Sequence, residues 1–314
     1  MTGATRNTGF DIGLIAQFGA GIGCRGILSM SYIVSEQLIR TVGRTPQGAD
    51  WLATVPGSVT ELARRWLLTI ARPFENEATC SWVAPCTRAD GTPAVLKLGF
   101  PHKEAEHEIE GLAYWAGEPT VNLLEADSEL SAMLLERCEP GTELRTLAED
   151  EQDTILAGLL KRLWKIPEKP HPFRPLAEMF DYWCEESRNK SYLWPDKAIV
   201  EDGMSVFQDL LSDCSEEVLL ATDLHAGNVL RAQRMPWLVI DPKPFVGDQC
   251  YDATQHLMNC KNRLRENPLK TIARIANRFG VDERHVRLWT FARLAVETGR
   301  DMVASHSLAR RLSV

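Results

Sequence analysis

Asp223-Leu-His-Ala-Gly-Asn228, with Asp241 thirteen residues after Asn228 in Val239-Ile-Asp-Pro242, decides how this chain is read. Apolar Val218, Leu219 and Leu220 lead in, Val229 and Leu230 follow, and Trp237-Leu-Val-Ile240 leads into Asp241. Arg231-Ala-Gln-Arg234 is polar enough to turn, so a loop followed by a β-hairpin is expected. A hairpin lays its second strand beside its first. Asn228 and Asp241 are therefore expected at one place, with Asp223 next to them.

Phosphoryl transfer needs this set of groups. One carboxylate, Asp223, orients or accepts the proton of the attacking hydroxyl. A second, Asp241, and the amide oxygen of Asn228 hold Mg²⁺ against nucleotide phosphates. Asp223 and Asn228 stand five residues apart, the spacing of base and amide in the kinase HRD-x-x-x-x-N loop. An isolated D-x-x-x-x-N carries little weight, since an Asn in a turn and an Asp ending a strand need no chemistry. The later Asp and the apolar flanks supply the rest.

Upstream, Cys80-Ser-Trp-Val-Ala-Pro-Cys-Thr87 and Thr92-Pro-Ala-Val-Leu-Lys97-Leu98 flank Arg88-Ala-Asp90-Gly91, a hairpin signal. Ala94-Val-Leu-Lys97 has the form of the kinase strand whose Lys pairs the nucleotide phosphates. A surface Lys at a strand end is the plain alternative. A helix is expected from about Lys103 to Trp115, with Glu104, Glu108, Leu112 and Trp115 on one face. Such a Lys needs an acidic partner on that helix. Glu108 is the first choice, because Leu112 and Trp115 anchor its face; Glu104 and Glu110 follow. The loop Glu75-Asn-Glu-Ala-Thr-Cys-Ser81 occupies the phosphate-covering position but has no glycine. Its small residues Ala78, Thr79 and Ser81 still let the backbone approach phosphate, and Ser81 is a nucleotide-site candidate. The missing glycines argue against a protein kinase.

Ser131-Ala-Met-Leu-Leu-Glu136-Arg137 is an apolar strand broken by Glu139-Pro-Gly141. In a two-lobed kinase the link between lobes falls here and binds adenine, which makes Glu136 and Arg137 nucleotide-site candidates. The remainder is expected to be mostly helical, over about 149–166, 176–189, 198–213, 252–263, 268–279 and 283–298. Residues 1–45 are expected to form a poorly ordered extension, with Met30 an alternative start. The folded body is expected to begin near Ala49, where Ser58-Val-Thr-Glu61 has capping-box spacing ahead of Leu62, Trp66 and Leu67.

Bulk properties fit a soluble enzyme. The 314 residues are 44 % hydrophobic, ordinary for a globular chain, and no apolar run is long enough to span a bilayer. A net charge of −8 disfavours nucleic acid as a partner and suits a cationic small substrate. The eight cysteines show no C-x-x-C and no zinc spacing, which points to reduced thiols in the cytoplasm.

From about Leu52 to Asp301 the chain resembles the aminoglycoside/hydroxyurea phosphotransferases. The matching pieces are Arg88-Ala-Asp-Gly-Thr-Pro-Ala-Val-Leu-Lys97, Met133-Leu-Leu-Glu-Arg137, Thr222-Asp-Leu-His-Ala-Gly-Asn-Val-Leu230 and Trp237-Leu-Val-Ile-Asp-Pro-Lys-Pro-Phe-Val-Gly-Asp248, then Tyr251-Asp-Ala. The resemblance implies an α+β, two-lobed protein-kinase-like fold, with a small antiparallel β-rich N-lobe (46–137, nucleotide-binding) and a mostly helical C-lobe (138–314). It implies transfer of a phosphate from ATP, or another nucleoside triphosphate, with Mg²⁺, to a hydroxyl of a small molecule. Asp223 is then the catalytic base, Asn228 and Asp241 the Mg²⁺ ligands and Lys97 the phosphate anchor. Such kinases often carry His two residues before the catalytic Asp, where this chain has Ala221; His225, Asp248 and Asp252 are expected to be structural. An acidic wall for a polycationic acceptor would come from Asp181, Glu185, Glu186, Asp202, Asp213, Glu216 and Glu217. The expected partner is a small, cationic hydroxyl substrate, with no nucleic acid or membrane, on a monomeric cytoplasmic enzyme. A Ser/Thr protein kinase and a nucleotide-binding pseudokinase are the rival classes.

Overall fold

The computed structural model describes residues 34–74, 79–213, 216–299 and 301–313. Two helices lead in, α1 (Glu36–Thr41) and α2 (Pro46–Arg65), followed by strands β1 (Leu68–Ile70), β2 (Ser81–Arg88) and β3 (Pro93–Gly99). Helix α3 (Glu108–Trp115) and strands β4 (Leu123–Asp127) and β5 (Ala132–Glu136) complete the first lobe. The second lobe starts with α4 (Glu149–Leu163), α5 (Leu176–Asn189) and α6 (Lys197–Ser212). Four three-residue strands follow: β6 (Val218–Leu220), β7 (Val229–Arg231), β8 (Trp237–Val239) and β9 (Phe245–Gly247). The chain then runs through α7 (Gln249–Asn259), α8 (Lys261–Glu266), α9 (Pro268–Phe279), α10 (Glu283–Ala295) and α11 (Met302–Leu312). None of the described helices is long and apolar enough to cross a membrane.

The first lobe is one antiparallel sheet in the order β1-β2-β3-β5-β4. Its central hairpin closes as its residues dictate. Gly91 takes φ 83° and the Asp90 carboxylate accepts from the Thr92 N–H at 2.9 Å, so β2 and β3 pair from Ser81↔Gly99 to Thr87↔Pro93. Alternation then splits β3 between two faces. Ala94, Leu96 and Leu98 are buried against Trp82, Ala84, Leu38, Val55 and Leu62. Lys97 points from the other face, on which Met133 and Leu135 meet Leu112 of α3 and Leu238 of β8.

That smaller apolar cluster spans both lobes, and backbone and charged groups reinforce it. Val121 N–H donates to Val239 O, and Val239 N–H to Pro119 O, both at 3.0 Å. Arg234, in the turn between β7 and β8, donates to the Glu136 carboxylate at 2.8 Å and to the carbonyls of Gly117 and Thr120 at 2.9 Å. The second lobe packs around Phe180, Phe207, Tyr251 and Trp289, with Phe180 and Phe207 ring centres 4.2 Å apart. Trp289 satisfies its buried indole N–H on Asp248 at 2.7 Å.

Several expectations change. The helix expected from 103 to 115 is a short 3-10 turn at Lys103–Ala105 followed by α3, because His107 adopts φ 67° between them. Ser58 is no cap: α2 runs through it, starting instead at Thr45, whose side chain accepts from Gly48 N–H ahead of Pro46. The ordered body also begins earlier than residue 46. Leu38 of α1 is 1 % exposed and Val42 is 4 % exposed, both in the first-lobe core, and Thr41 donates to Thr79 O. The rest of the expected extension, Met30 included, lies outside the described residues, as does most of the Glu75–Ser81 loop. The expected helix over 252–263 is two helices, α7 and α8, and α11 was not foreseen. The six described cysteines are free.

Leu38→Ala is expected to cost about 2–5 kcal/mol, the usual range for emptying a filled core site. The check is a lower urea midpoint at unchanged slope; an unmoved midpoint would detach α1 from the core.

Candidate active site

Strand alternation aims Lys97 out of the sheet, and α3 supplies its partner. The Lys97 ammonium lies 2.6 and 2.7 Å from the two oxygens of Glu108 and 2.6 Å from Asp241 Oδ1. Lys97 and Glu108 are both buried, while the Asp241 side chain is 46 % exposed. Burial alone would lower the pKa of Lys97, but Asp241 and Glu108 outweigh it and hold the ammonium above its ordinary range. Burial pushes the Glu108 carboxyl up to about 7 against the pull of Lys97. It pushes the Asp241 carboxyl up too, yet the neighbouring Lys97 charge wins and Asp241 sits below the usual range. Of the alternative partners, Glu110 faces His107 at 3.8 Å, and the side chain of Glu104 is outside the described residues.

The hairpin brings Asn228 and Asp241 together as expected, since Ile240 N–H donates to Asn228 O at 2.9 Å. Asn228 Nδ2 donates to Asp223 O at 2.9 Å, which leaves the amide oxygen as an acceptor. One ammonium facing two carboxylates leaves net negative charge at a half-exposed Asp241. Hard oxygen donors beside that charge fit a divalent cation such as Mg²⁺. Asp241 at φ 53° and Thr222 at φ 43° hold left-handed backbone, a strain of about 1–3 kcal/mol each that clusters at functional sites.

Asp223 sits on the loop between β6 and β7. Its Oδ1 accepts from Gln255 Nε2 at 2.6 Å and its Oδ2 lies 3.0 Å from Lys243 Nζ. Gln255 is oriented in turn by Arg293, which donates to its Oε1 at 2.5 Å and lies 4.8 Å over the Tyr251 ring. Where His is common, Ala221 is fully buried, and Asp252 carries the loop instead. Its carboxylate accepts from the N–H groups of Ala221 and Thr222 at 3.1 and 2.8 Å and from Trp164 Nε1 at 3.0 Å. Asp252 thus has the structural role expected of it, supporting the residues before Asp223. Burial pushes it up to about 6 against those three donors. His225 Nδ1 accepts from Gly227 N–H at 3.0 Å, and burial pushes the ring toward its neutral form.

The remaining candidates lie on the sheet, on the link between lobes and in the helical lobe. The Glu136 carboxylate is engaged by Arg234 and by Asn122 N–H, so only its backbone remains on the link between lobes. Arg137 lies 3.6 Å from Glu139 on the same link, and Ser81 begins β2 opposite Gly99. The acidic-wall residues are spread over α5, α6 and the segment before β6. Glu186 pairs with Lys190 at 2.5 Å, Asp213 faces His285 at 3.8 Å, and Glu216 lines a cavity with Lys161, Trp164 and Gln249. Asp181, Glu185, Asp202 and Glu217 are exposed. Lys243, Gln255 and Arg293 were missed by the sequence reading. Only Lys243, inside the quoted Asp241-Pro-Lys stretch, lay within reach of it. Asp248, Cys250 and His285 also converge within 4.8 Å, but Asp248 is spent on Trp289 and on Cys250 N–H, and burial pushes the thiol up.

Fold and site together define a small-molecule phosphotransferase built on the two-lobed kinase plan. The chain belongs to the aminoglycoside/hydroxyurea antibiotic resistance kinase family, whose model matches residues 65–301. Streptomycin 6-kinase of Streptomyces glaucescens is 35 % identical over 260 residues, 79 % of this chain and 83 % of that one. Hydroxyurea phosphotransferase of Kitasatospora aureofaciens is 33 % identical over 253 residues, 79 % of this chain and 73 % of that one. Among solved structures, choline kinase of Streptococcus pneumoniae aligns with a TM-score of 0.56 at 11 % identity, covering 83 % of this chain and 98 % of its own. A choline/ethanolamine kinase family protein of Mesorhizobium loti aligns with a TM-score of 0.56 at 12 % identity, covering 82 % and 94 %. At such identities the solved structures share the fold alone.

Glu108→Gln is expected to weaken ADP binding about tenfold or more, since a buried hydrogen bond between charged groups contributes about 1.5–3 kcal/mol. Calorimetric titration checks it, and wild-type affinity in the variant would remove Glu108 from the phosphate site.

Proposed function

We propose that this protein transfers the γ-phosphate of ATP to a hydroxyl of a streptomycin-type aminocyclitol antibiotic. The observation that carries the reading is the single hairpin that sets Asp223 and Asn228 beside Asp241, with Lys97 braced by Glu108 against the same Asp241. Lys97 fixes the nucleotide phosphates. Ser81 and the backbone of Glu136 and Arg137 frame the nucleotide. Asn228 and Asp241 would hold Mg²⁺, which when bound neutralises phosphate charge. Asp223 orients the acceptor hydroxyl and takes its proton. The acceptor oxygen bonds to the γ-phosphorus as the bond to the bridging oxygen breaks, and the electron pair leaves with ADP. Positioning and charge stabilisation carry most of this work.

A phosphate adds about −1.5 to −2 charges to a cationic drug. Lost fit to an anionic target then gives resistance. A second reading has its own support: the charged groups touching Asp223 or its Gln255 support are the cations Lys243 and Arg293, which suit a small neutral acceptor such as hydroxyurea. Free thiols agree with a cytoplasmic enzyme, and we take it to act as a monomer.

Incubation with ATP, Mg²⁺ and separate acceptors (streptomycin, kanamycin, hydroxyurea) is expected to add one phosphate to streptomycin or hydroxyurea, read by mass. Label on generic protein substrates alone would reverse the assignment, and ATP binding without turnover of any acceptor would make the protein a binding module. Asp223→Asn is expected to lower kcat by about 10²–10⁴-fold, the usual contribution of a general base, with ADP affinity intact. Undiminished turnover would remove Asp223 from its role.

A further inference from the structure

We propose that Lys243 is a catalytic residue that stabilises the phosphoryl group during transfer. The proposal rests on the kinase reading above and adds to it a cation that no motif assigned.

The backbone of Lys243 is stapled to the catalytic loop from both sides. Its N–H donates to Ala221 O at 2.9 Å, and its carbonyl accepts from Thr222 Oγ1 at 2.6 Å. Pro242 and Pro244 flank it and restrict the chain further. Helix α3 presses on the same segment. At Gly111 an added Cβ would come within 2.9 Å of Pro244 Cγ, so the helix that carries Glu108 and the segment that carries Lys243 have a fixed spacing. The side chain then projects between the two halves of the site. Its ammonium lies 3.0 Å from Asp223 Oδ2, and its charge is also felt at Asp241 and at Glu108.

Transfer builds negative charge on the phosphoryl oxygens and needs fixed positive charge facing them. The loop from Asp223 to Asn228 contains no Lys or Arg, and burial pushes His225 toward its neutral form. Arg293 is tied to Gln255 and Thr254, and Arg145 to Glu143. Lys243, by contrast, contacts Asp223 itself. The pairing has a consequence during the reaction. The hydroxyl O–H bond breaks and the proton passes to Asp223 as the O–P bond forms and the γ-phosphorus parts from the bridging oxygen. Asp223 loses its charge at that moment, and the Lys243 charge can then act on the phosphoryl oxygens.

The test needs no acceptor. Binding of Mg·ADP with aluminium fluoride, a mimic of the phosphoryl group in flight, is compared with Mg·ADP alone by calorimetry. Wild type is expected to bind the mimic more tightly, and Lys243→Gln to lose about 10²-fold of that gain, each protein's gain being taken relative to its own Mg·ADP affinity. Lys243→Met, similar in length and uncharged, is expected to do the same and stands in where Gln weakens the fold. Lys243→Arg is expected to keep most of the gain. An equal gain in wild type and both neutral variants overturns the role of Lys243 while leaving the kinase reading intact. No binding of Mg·ADP to wild type overturns both.

Discussion

One ammonium between two carboxylates organises this molecule. Lys97 comes from the sheet, Glu108 from the first turn of α3, and Asp241 from the end of the β7–β8 hairpin. Three separate stretches of chain therefore meet at one buried charge. Breaking such a buried pair leaves an uncompensated ion, which is far costlier than loss of a surface pair. The apolar contacts of Met133, Leu135, Leu112 and Leu238 and the grip of Arg234 on Glu136 hold the same junction from behind. They fix the lobes so that the ionic cluster stays assembled.

Glu108 and Asp241 share Lys97, yet they differ in what they can do next. Glu108 is enclosed and has nowhere else to turn. Asp241 is half exposed, its other oxygen is available, and the Asn228 amide oxygen stands nearby. The surplus negative charge therefore lies on the exposed side, where the proposed function puts a nucleotide and its cation. A second acid–base pair repeats the arrangement on the acceptor side, where Lys243 and Gln255 hold the two oxygens of Asp223. Behind Gln255, Arg293 on α10 holds the amide. Behind α7, the buried Asp153 accepts from Arg263 at 2.7 Å and from Arg274 at 3.0 Å and lies 2.9 Å from His256. The rigidity of the helical lobe is thus passed to the catalytic loop through single side chains.

The hairpin, its two carboxylates and its amide were legible because the alternation of apolar residues and the turn chemistry are local. Glu108 was legible for a similar reason: Leu112 and Trp115 mark the buried face of α3, and Glu108 shares it. What escaped reading depended on distant parts of the chain. Gln255 and Arg293 reach Asp223 from α7 and α10, and nothing in their own neighbourhoods marks them. Glu136 was read as part of the nucleotide link, but its partner Arg234 lies almost a hundred residues on, in a turn chosen only for its polarity. The start of the ordered body was misplaced because Ser58-Val-Thr-Glu61 imitates a helix start, whereas burial of Val55, Val59 and Leu62 carries α2 through it. Leu38 and Val42 belong to the core only because a sheet formed much later in sequence covers them. The acidic wall was not legible for a plainer reason: helical spacing places carboxylates on a face without saying what that face meets.

The proposed transfer requires Asp241 to change partners, from Lys97 to a divalent cation held against nucleotide phosphate. Calorimetric titration of ADP with and without Mg²⁺, in wild type and in Asp241→Asn, measures that exchange. Magnesium is expected to tighten ADP binding to the wild type and to give no gain in the variant. An equal magnesium gain in both proteins would contradict the account, because the cation would then be held somewhere other than at Asp241.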